Sequence, residues 1–250
     1  QKMKKNTDKD IIVGIHAVRI LLKIRPFDVY EIYSSDKKSK KFSKIFHEAK
    51  KNNLVVQNIS NEKIHEISNV KSHQGILAIA KKKTEVLEKN IIDFLEKQQK
   101  NKILLIIDEV SDPRNFGACL RICDAYNISA VIIKDHDSVN LNKTVKKVAA
   151  GAAETIPVIK VKNISRIIEI LKKNNYWIYG ATDKAQIDVN EMIFKTPIAL
   201  VIGGESEGLR KKTLDSCDHT LKINMNGIVE SLNMAVATGI IVNTIYSKIK

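Results

Sequence analysis

The chain has 250 residues, of which 44% are hydrophobic and 28% are charged, as in an ordinary globular protein. This composition excludes disordered and collagen-like chains, and three cysteines are too few for a secreted disulfide framework. No apolar run reaches the roughly 18–20 residues that a membrane span needs, and the polar N-terminus does not resemble a signal peptide. We therefore expect a soluble, cytoplasmic protein with no membrane partner.

Positive charge is concentrated near the N-terminus. The chain carries 42 basic and 28 acidic residues, a net charge of +14. Residues 1–100 hold 22 basic and 12 acidic groups, a net of +10, whereas residues 101–250 hold 20 and 16, a net of +4. A basic domain of this kind attracts polyanions, most commonly nucleic acid. The alternative is that these lysines only keep the protein soluble.

The first part of the chain alternates between helical and strand patterns. Apolar residues 11–15 lead into a helix that Pro26 ends, because proline disfavours helical backbone before it. The remaining segments are a strand at 29–33, a helix at 41–52, a strand at 54–57, a helix at 61–68 and a strand at 75–80. This order predicts a small N-terminal α/β domain over residues 1–83, followed by a linker over 84–100.

Residues 101–250 have the pattern of an open α/β sheet. Apolar runs typical of strands buried on both faces occur at 103–108, 130–133, 177–181 and 198–202. Helical patterns lie between them at 116–126, 143–151 and 165–174. This alternation predicts a parallel-sheet domain whose functional residues lie in loops past the carboxyl ends of the strands.

The first candidate loop follows the run at 103–108. Asp112 and Asn115 are either helix caps or site residues, and Gly117 allows close packing. Arg121 lies one to two turns into the helix, and we expect it to be half-buried near the strand ends. It is either a functional cation or a paired arginine on the helix face.

The second candidate loop, residues 203–209, follows another apolar strand. Gly203, Gly204 and Gly208 permit tight turns and close ligand approach. The loop lacks the Lys-Ser/Thr of a P-loop and the glycine pattern of a dinucleotide site. Glu205 favours a ligand that is cationic or rich in hydroxyls, although a plain turn is the alternative.

The third candidate segment, residues 221–237, is a short strand, a glycine turn and a helix rich in small residues. Ser231 and Asn233 lie at the start of this helix, where either a cap or a site residue is plausible. Cys119 and Cys123 share a helix face without further ligands, and the histidines lack metal-ligand spacing, so we expect no metal site.

Together, these loops resemble one family. The three motifs of the SpoU/TrmH 2′-O-ribose RNA methyltransferases are similar, in order and spacing, to Asn115-x-Gly117-Ala118-x-x-Arg121, Gly203-x-Glu205-x-x-Gly208-Leu209 and Ser231-Leu232-Asn233. The branch that methylates a guanosine in large-subunit (23S) ribosomal RNA has an N-terminal domain that resembles Val13-Gly14-Ile15-His16-Ala17-Val18 and His73-Gln74-Gly75-Ile76. One departure is Asn224, where the family often has proline.

The resemblance implies a specific fold. The family's C-terminal domain is a parallel sheet with a trefoil knot, of the SPOUT type, which periodicity alone does not reveal. Its N-terminal domain is a small α/β unit of the ribosomal-protein L30/L7Ae type. Family members are usually homodimers with the site near the subunit interface. For this chain, the resemblance implies ribosomal RNA as the partner.

The resemblance also implies an activity and its residues. S-adenosylmethionine is the methyl donor, and the reaction methylates a ribose 2′-hydroxyl. The catalytic residues carried over are Asn115, Arg121, Glu205, Ser231 and Asn233. The donor-binding residues carried over or placed in the same loops are Gly203, Gly204, Gly208, Ile223, Met225 and Leu232. Because arginine stays protonated, we favour an electrostatic role for Arg121 over that of a general base.

Three alternatives remain open. One alternative is that the target is a transfer RNA ribose. Another is that the chain is a non-catalytic RNA-binding protein with a decayed site. A Rossmann-type oxidoreductase is disfavoured by the missing glycine fingerprint.

Overall fold

The computed structural model describes residues 8–98, 101–136, 139–204, 208–228 and 231–250. The chain forms two compact units, Gln1–Thr84 and Glu85–Lys250. The elements of the first unit are β1 (Lys9–Val13), α1 (Ile15–Ile24), β2 (Val29–Ser34), α2 (Ser43–Lys51), β3 (Val56–Asn58), α3 (Asn61–Ser68) and β4 (Ile76–Lys81).

The first unit is built on a mixed four-stranded sheet in the order β1-β4-β2-β3. β4 is antiparallel to both β1 and β2, whereas β3 runs parallel to β2 at one edge. Alternate residues of β4, Ile76, Ala78 and Ala80, join the buried faces of α1 and α2 in one apolar core. Leu77 is buried as well, and this nearly continuous apolar run explains why the sequence predicts the strand well.

The second unit contains the larger sheet. Its elements are α4 (Ile91–Glu96), β5 (Asn101–Ile107), α5 (Pro113–Ala125), β6 (Ile128–Lys134), α6 (Lys143–Val148), α7 (Ala152–Thr155), β7 (Val158–Val161), α8 (Ile164–Lys173), β8 (Trp177–Ala181), β9 (Ile198–Ile202), α9 (Lys211–Asp215), β10 (His219–Leu221) and α10 (Met234–Ile249).

All pairings in the six-stranded sheet are parallel, in the order β10-β8-β9-β5-β6-β7. Successive residues of β5 face opposite sides, so Ile103, Leu105 and Ile107 enter one apolar core and Leu104 and Ile106 enter the other. Burial on both faces confirms the expected α/β class with a C-terminal parallel sheet. The threading of a knot and the ribosomal-protein-like type of the first unit stay predictions.

The stretch 84–100, expected as a linker, contains α4. Ile91 and Leu95 of this helix are buried in the second unit against β5, β6 and α8. The backbone N–H of Lys162 also donates to Glu88 at 2.9 Å. Within the described residues, no helix has the length and apolar character that crossing a membrane requires.

Candidate active site

The carboxyl edge of the central strands brings two of the candidate loops together. β5 and β9 are in register, with Ile107 opposite Ile202. The backbone N–H of Asp108 donates to the carbonyl of Ile202 at 3.0 Å, and buried Asp108 accepts the N–H of Arg210 at 3.2 Å. The guanidinium of Arg210 pairs with Glu109 at 2.7 Å. The loop after β9 is therefore fixed to the loop after β5.

The glycines of the second loop are required by its geometry. A Cβ on Gly203 would lie 2.0 Å from the carbonyl carbon of Gly208, so no side chain fits there. Gly204 and Gly208 exchange two backbone hydrogen bonds of 3.2 Å, which close the loop, and Gly208 has a φ of +65°. Glu205, a predicted catalytic residue, lies outside the described residues.

The first and third motifs meet through two asparagines. Asn233 caps α10 by accepting the N–H groups of Ala235 at 2.9 Å and Val236 at 3.3 Å. Its side-chain amide then donates to the Oδ1 of Asn115 at 2.9 Å. Asp112, and not Asn115, caps α5 by accepting the N–H of Arg114. Asn115 is thus available to hold the start of α10 in place.

Arg121 is exposed, so the expectation that it is half-buried is wrong. The buried residues of α5 are Phe116, Gly117, Cys119, Leu120 and Cys123, a stripe that leaves Arg121 on the outer side. Among the described residues, Arg121 makes no hydrogen bond or ion pair. Its guanidinium therefore stays available for a ligand.

The segment before α10 exposes apolar side chains. Met225 is 38% exposed, Leu232 39% and Ile228 100%, while Ile223 packs partly against the core. Ser231 is exposed and does not cap the helix, since Asn233 does. Exposed apolar side chains that precede a helix start in the sequence suit a partly apolar ligand.

Asp188 anchors this segment and was not singled out from the sequence. Its buried carboxylate accepts the backbone N–H of Asn190 at 2.8 Å and of Asn224 at 2.9 Å. These two N–H groups, with Asn190 the larger cause, hold the pKa of Asp188 below its ordinary value. No sequence pattern indicates this role, because an Asp in a polar stretch is typical of an ordinary loop.

In the first unit, the structure joins the two segments that carried the family resemblance. The side-chain oxygen of Gln74 accepts the N–H of Ile15 at 2.9 Å, at the start of α1. Buried His73 accepts the N–H of Gly75 at its Nδ1 at 3.0 Å. Burial lowers the pKa of His73, and nearby His65 adds to this effect, so the imidazole favours its neutral form. This arrangement makes His73 part of the turn.

Models of known families match both units. Residues 102–243 match the SpoU rRNA methylase family. The chain belongs to this family. Residues 11–86 match the family of RNA 2′-O ribose methyltransferase substrate-binding domains. The second match covers the first unit, and the first match covers all three motif segments.

Curated relatives agree over almost the whole chain. The chain is 38% identical over 232 residues to the 23S rRNA (guanosine-2′-O-)-methyltransferase RlmB of Escherichia coli strain K12, covering 92% of this chain and 95% of that protein. It is also 38% identical over 231 residues to the RlmB protein of Ralstonia nicotianae, covering 92% of each.

Solved structures share the fold. The SpoU methyltransferase AviRb of Streptomyces viridochromogenes, in complex with the cofactor AdoMet, matches with a TM-score of 0.77 at 18% identity, over 97% of this chain and 91% of that one. An RNA 2′-O ribose methyltransferase matches with a TM-score of 0.78 at 20% identity, over 99% and 92%. These likenesses confirm the two-unit architecture of the chain.

Proposed function

We propose that this protein transfers a methyl group from S-adenosylmethionine to the ribose 2′-hydroxyl of a guanosine in 23S ribosomal RNA. The observation that carries the proposal is the likeness to RlmB proteins along both units, since 92% of this chain matches 95% of the E. coli protein. The site supports it, because Gly204 lies close to Glu109 in the loop that precedes the first motif, and Asn233 of the third motif binds Asn115 of the first.

The donor fits the residues beside the closed glycine loop. The backbone of Gly208 fills the space that a side chain at position 203 would occupy, so this loop presents backbone groups, which we assign to the donor. Met225 and Leu232 expose apolar surface for the adenosine or methionine part, and Ile223 supports them from the core. When bound, S-adenosylmethionine supplies a methyl group made electrophilic by its sulfonium.

Arg121 acts on the other reactant. Its guanidinium is exposed and unpaired among the described residues, and a guanidinium carries five N–H donors in a planar fork. In our proposal it stabilises the negative charge that develops on the ribose 2′-oxygen as this hydroxyl passes its proton to solvent water, or it holds an adjacent phosphate. The 2′-oxygen would take the methyl group as the bond from that carbon to sulfur breaks, with S-adenosylhomocysteine as the leaving group. Asn115 and Asn233 keep α5 and α10 in register beside it. Glu205 and Ser231 are the remaining polar residues that we assign to the site.

The assembly and its location belong to the same proposal. We place the protein in the cytoplasm, where ribosomal RNA is modified, as a homodimer. α10 leaves Val236 and Ile240 exposed, with 51% and 38% of each residue accessible, and these side chains would be covered by a second copy. Sedimentation of the purified protein tests this assignment, and a monomer at micromolar concentration would contradict it.

The test of the activity uses labelled S-adenosylmethionine and total RNA from cells that lack the gene. The RNA is separated by size, digested to nucleosides and examined for labelled 2′-O-methyl products. Label in 2′-O-methylguanosine from 23S RNA is the expected result. Label confined to transfer RNA would overturn the substrate, and the absence of label despite RNA binding would favour a non-catalytic RNA-binding protein.

A further inference from the structure

The first unit has a cleft lined by residues of that unit, none of which belongs to the motif loops. It has a volume of about 460 Å³ and runs between α2 and the edge strand β3. Its apolar lining consists of Phe46, Ala49, Leu54, Val55 and Val56. A cavity of this size lies in the range that holds small ligands or single ligand groups. The exposed residue Val55, at 76%, shows that the mouth is open to solvent.

The polar lining of the cleft is cationic. Lys37 and Lys50 both line it, together with Asn53. No carboxylate is among its lining residues. The surrounding segment 37–51 contains seven lysines against one acidic residue, Glu48. The lysines are exposed, so their charges add to an electrostatic field that favours a polyanion.

The aromatic residue gives the cleft a second property. Phe46 is half-buried and meets Phe42 edge to face, with ring centroids 5.9 Å apart. An aromatic ring beside lysines is the combination that binds unpaired bases and their phosphates in single-stranded RNA. A double helix does not present its base faces in this way.

We propose that this cleft binds one unpaired nucleotide of the RNA substrate. The base lies against Phe46 and Leu54, and the flanking phosphates contact Lys37 and Lys50. The identity of the RNA rests on the proposed function, whereas the cleft and its charge do not. The cleft would thereby orient substrate RNA on the first unit, in addition to the sequence-independent attraction of its other lysines.

The sharpest test changes charge alone at the mouth of the cleft. Val55 is exposed and precedes β3, so substitution there preserves folding. Val55→Glu places a carboxylate beside the bound phosphate, and Val55→Gln is its neutral match in size. We measure binding of a labelled ten-nucleotide single-stranded RNA to the full chain by fluorescence anisotropy. At low salt Val55→Glu should bind about fivefold more weakly than Val55→Gln, as one added charge predicts.

A second pair of variants separates the cleft from general charge. In Lys37→Gln/Lys50→Gln, the slope of log K against log salt concentration should become shallower by about 1.4. This change corresponds to two lost phosphate contacts with single-stranded RNA. Lys23→Gln/Lys71→Gln removes the same charge from exposed positions outside the cleft and should leave the slope nearly unchanged. Equal effects of the two double variants, or equal binding by Val55→Glu and Val55→Gln, would overturn the proposal.

Methyl transfer is measured in parallel with the same proteins. The cleft variants should raise the KM for ribosomal RNA and keep kcat, because the cleft is not assigned to the chemistry. A wild-type protein that binds RNA through the cleft but transfers no methyl group would reject the proposed activity and keep the cleft. A wild-type protein that methylates 23S RNA with cleft variants unchanged in KM would reject the cleft alone.

Discussion

The loops at the carboxyl edge of the large sheet differ from the outer side of α5 in how their polar groups are used. At the sheet edge, the carboxylates of Asp108 and Asp188 accept backbone N–H groups, and Arg210 pairs with Glu109. On the outer side of α5, Arg121 is exposed without a partner among the described residues. The polar groups at the sheet edge therefore hold the loops in position, while the group that we assign to the chemistry keeps its hydrogen-bonding capacity.

The largest effect is expected where the scaffold has no spare volume. Gly203→Ala would place a Cβ within 2.0 Å of the backbone of Gly208, so the loop must move. We expect donor binding to fall below detection in isothermal titration calorimetry.

Gly239→Ala is the matched control, because its Cβ would lie at an ordinary 3.6 Å from Ile122 and alanine favours the helix. Donor binding by Gly203→Ala at the wild-type affinity would show that this loop is not part of the donor site.

A smaller effect is expected at Asp188. Asp188→Asn keeps one oxygen acceptor but loses the charge, and we expect a loss of about 1–3 kcal/mol in the free energy of unfolding at pH 7. Urea unfolding measures this loss.

The pH dependence follows from the lowered pKa of Asp188. Because the pKa is lower in the folded chain, the stabilisation is present above the ordinary pKa of about 3.9 and is lost as pH falls through the folded value. The difference between wild type and Asp188→Asn should therefore shrink in acid. A difference that stays constant from pH 7 to pH 3 would contradict the role of this carboxylate.

The smallest effect concerns the contact between the first and third motifs. Asn233→Ala removes a helix cap and should cost about 1 kcal/mol in the free energy of unfolding. Asn115→Ala in the same background should cost less than it does alone, because the hydrogen bond between the two residues is already gone. Additive losses in this double-mutant cycle would mean that the bond contributes nothing to stability.

The sequence predicted most accurately the strands that are continuous apolar runs. Residues 177–181 and 198–202 are strands with the predicted bounds, because both are apolar runs in a sheet covered on both faces. Residues 158–161 form β7, which was not predicted, since Lys160 interrupts a run of only four residues. β3 begins at Val56, two residues later than predicted.

The candidate site was predicted less completely than the fold. The resemblance named Asn115 and Asn233, but nothing in the sequence indicated that their side chains bind each other across 118 positions. The exposure of Arg121 depends on which side of α5 meets its neighbours, which periodicity did not resolve. Asp188 was missed because its role depends on a tertiary contact with Asn224.

The role of Arg121 is tested most sharply by measuring donor binding and turnover separately in Arg121→Ala. The donor dissociation constant comes from calorimetry, and the rate comes from single-turnover methylation of 23S RNA. If Arg121 acts only on the ribose oxygen, we expect donor affinity within about twofold of wild type and a rate lowered about 100- to 1000-fold, the loss expected for one transition-state contact. A rate near that of wild type, or a loss of donor affinity as large as the loss of rate, would contradict this role.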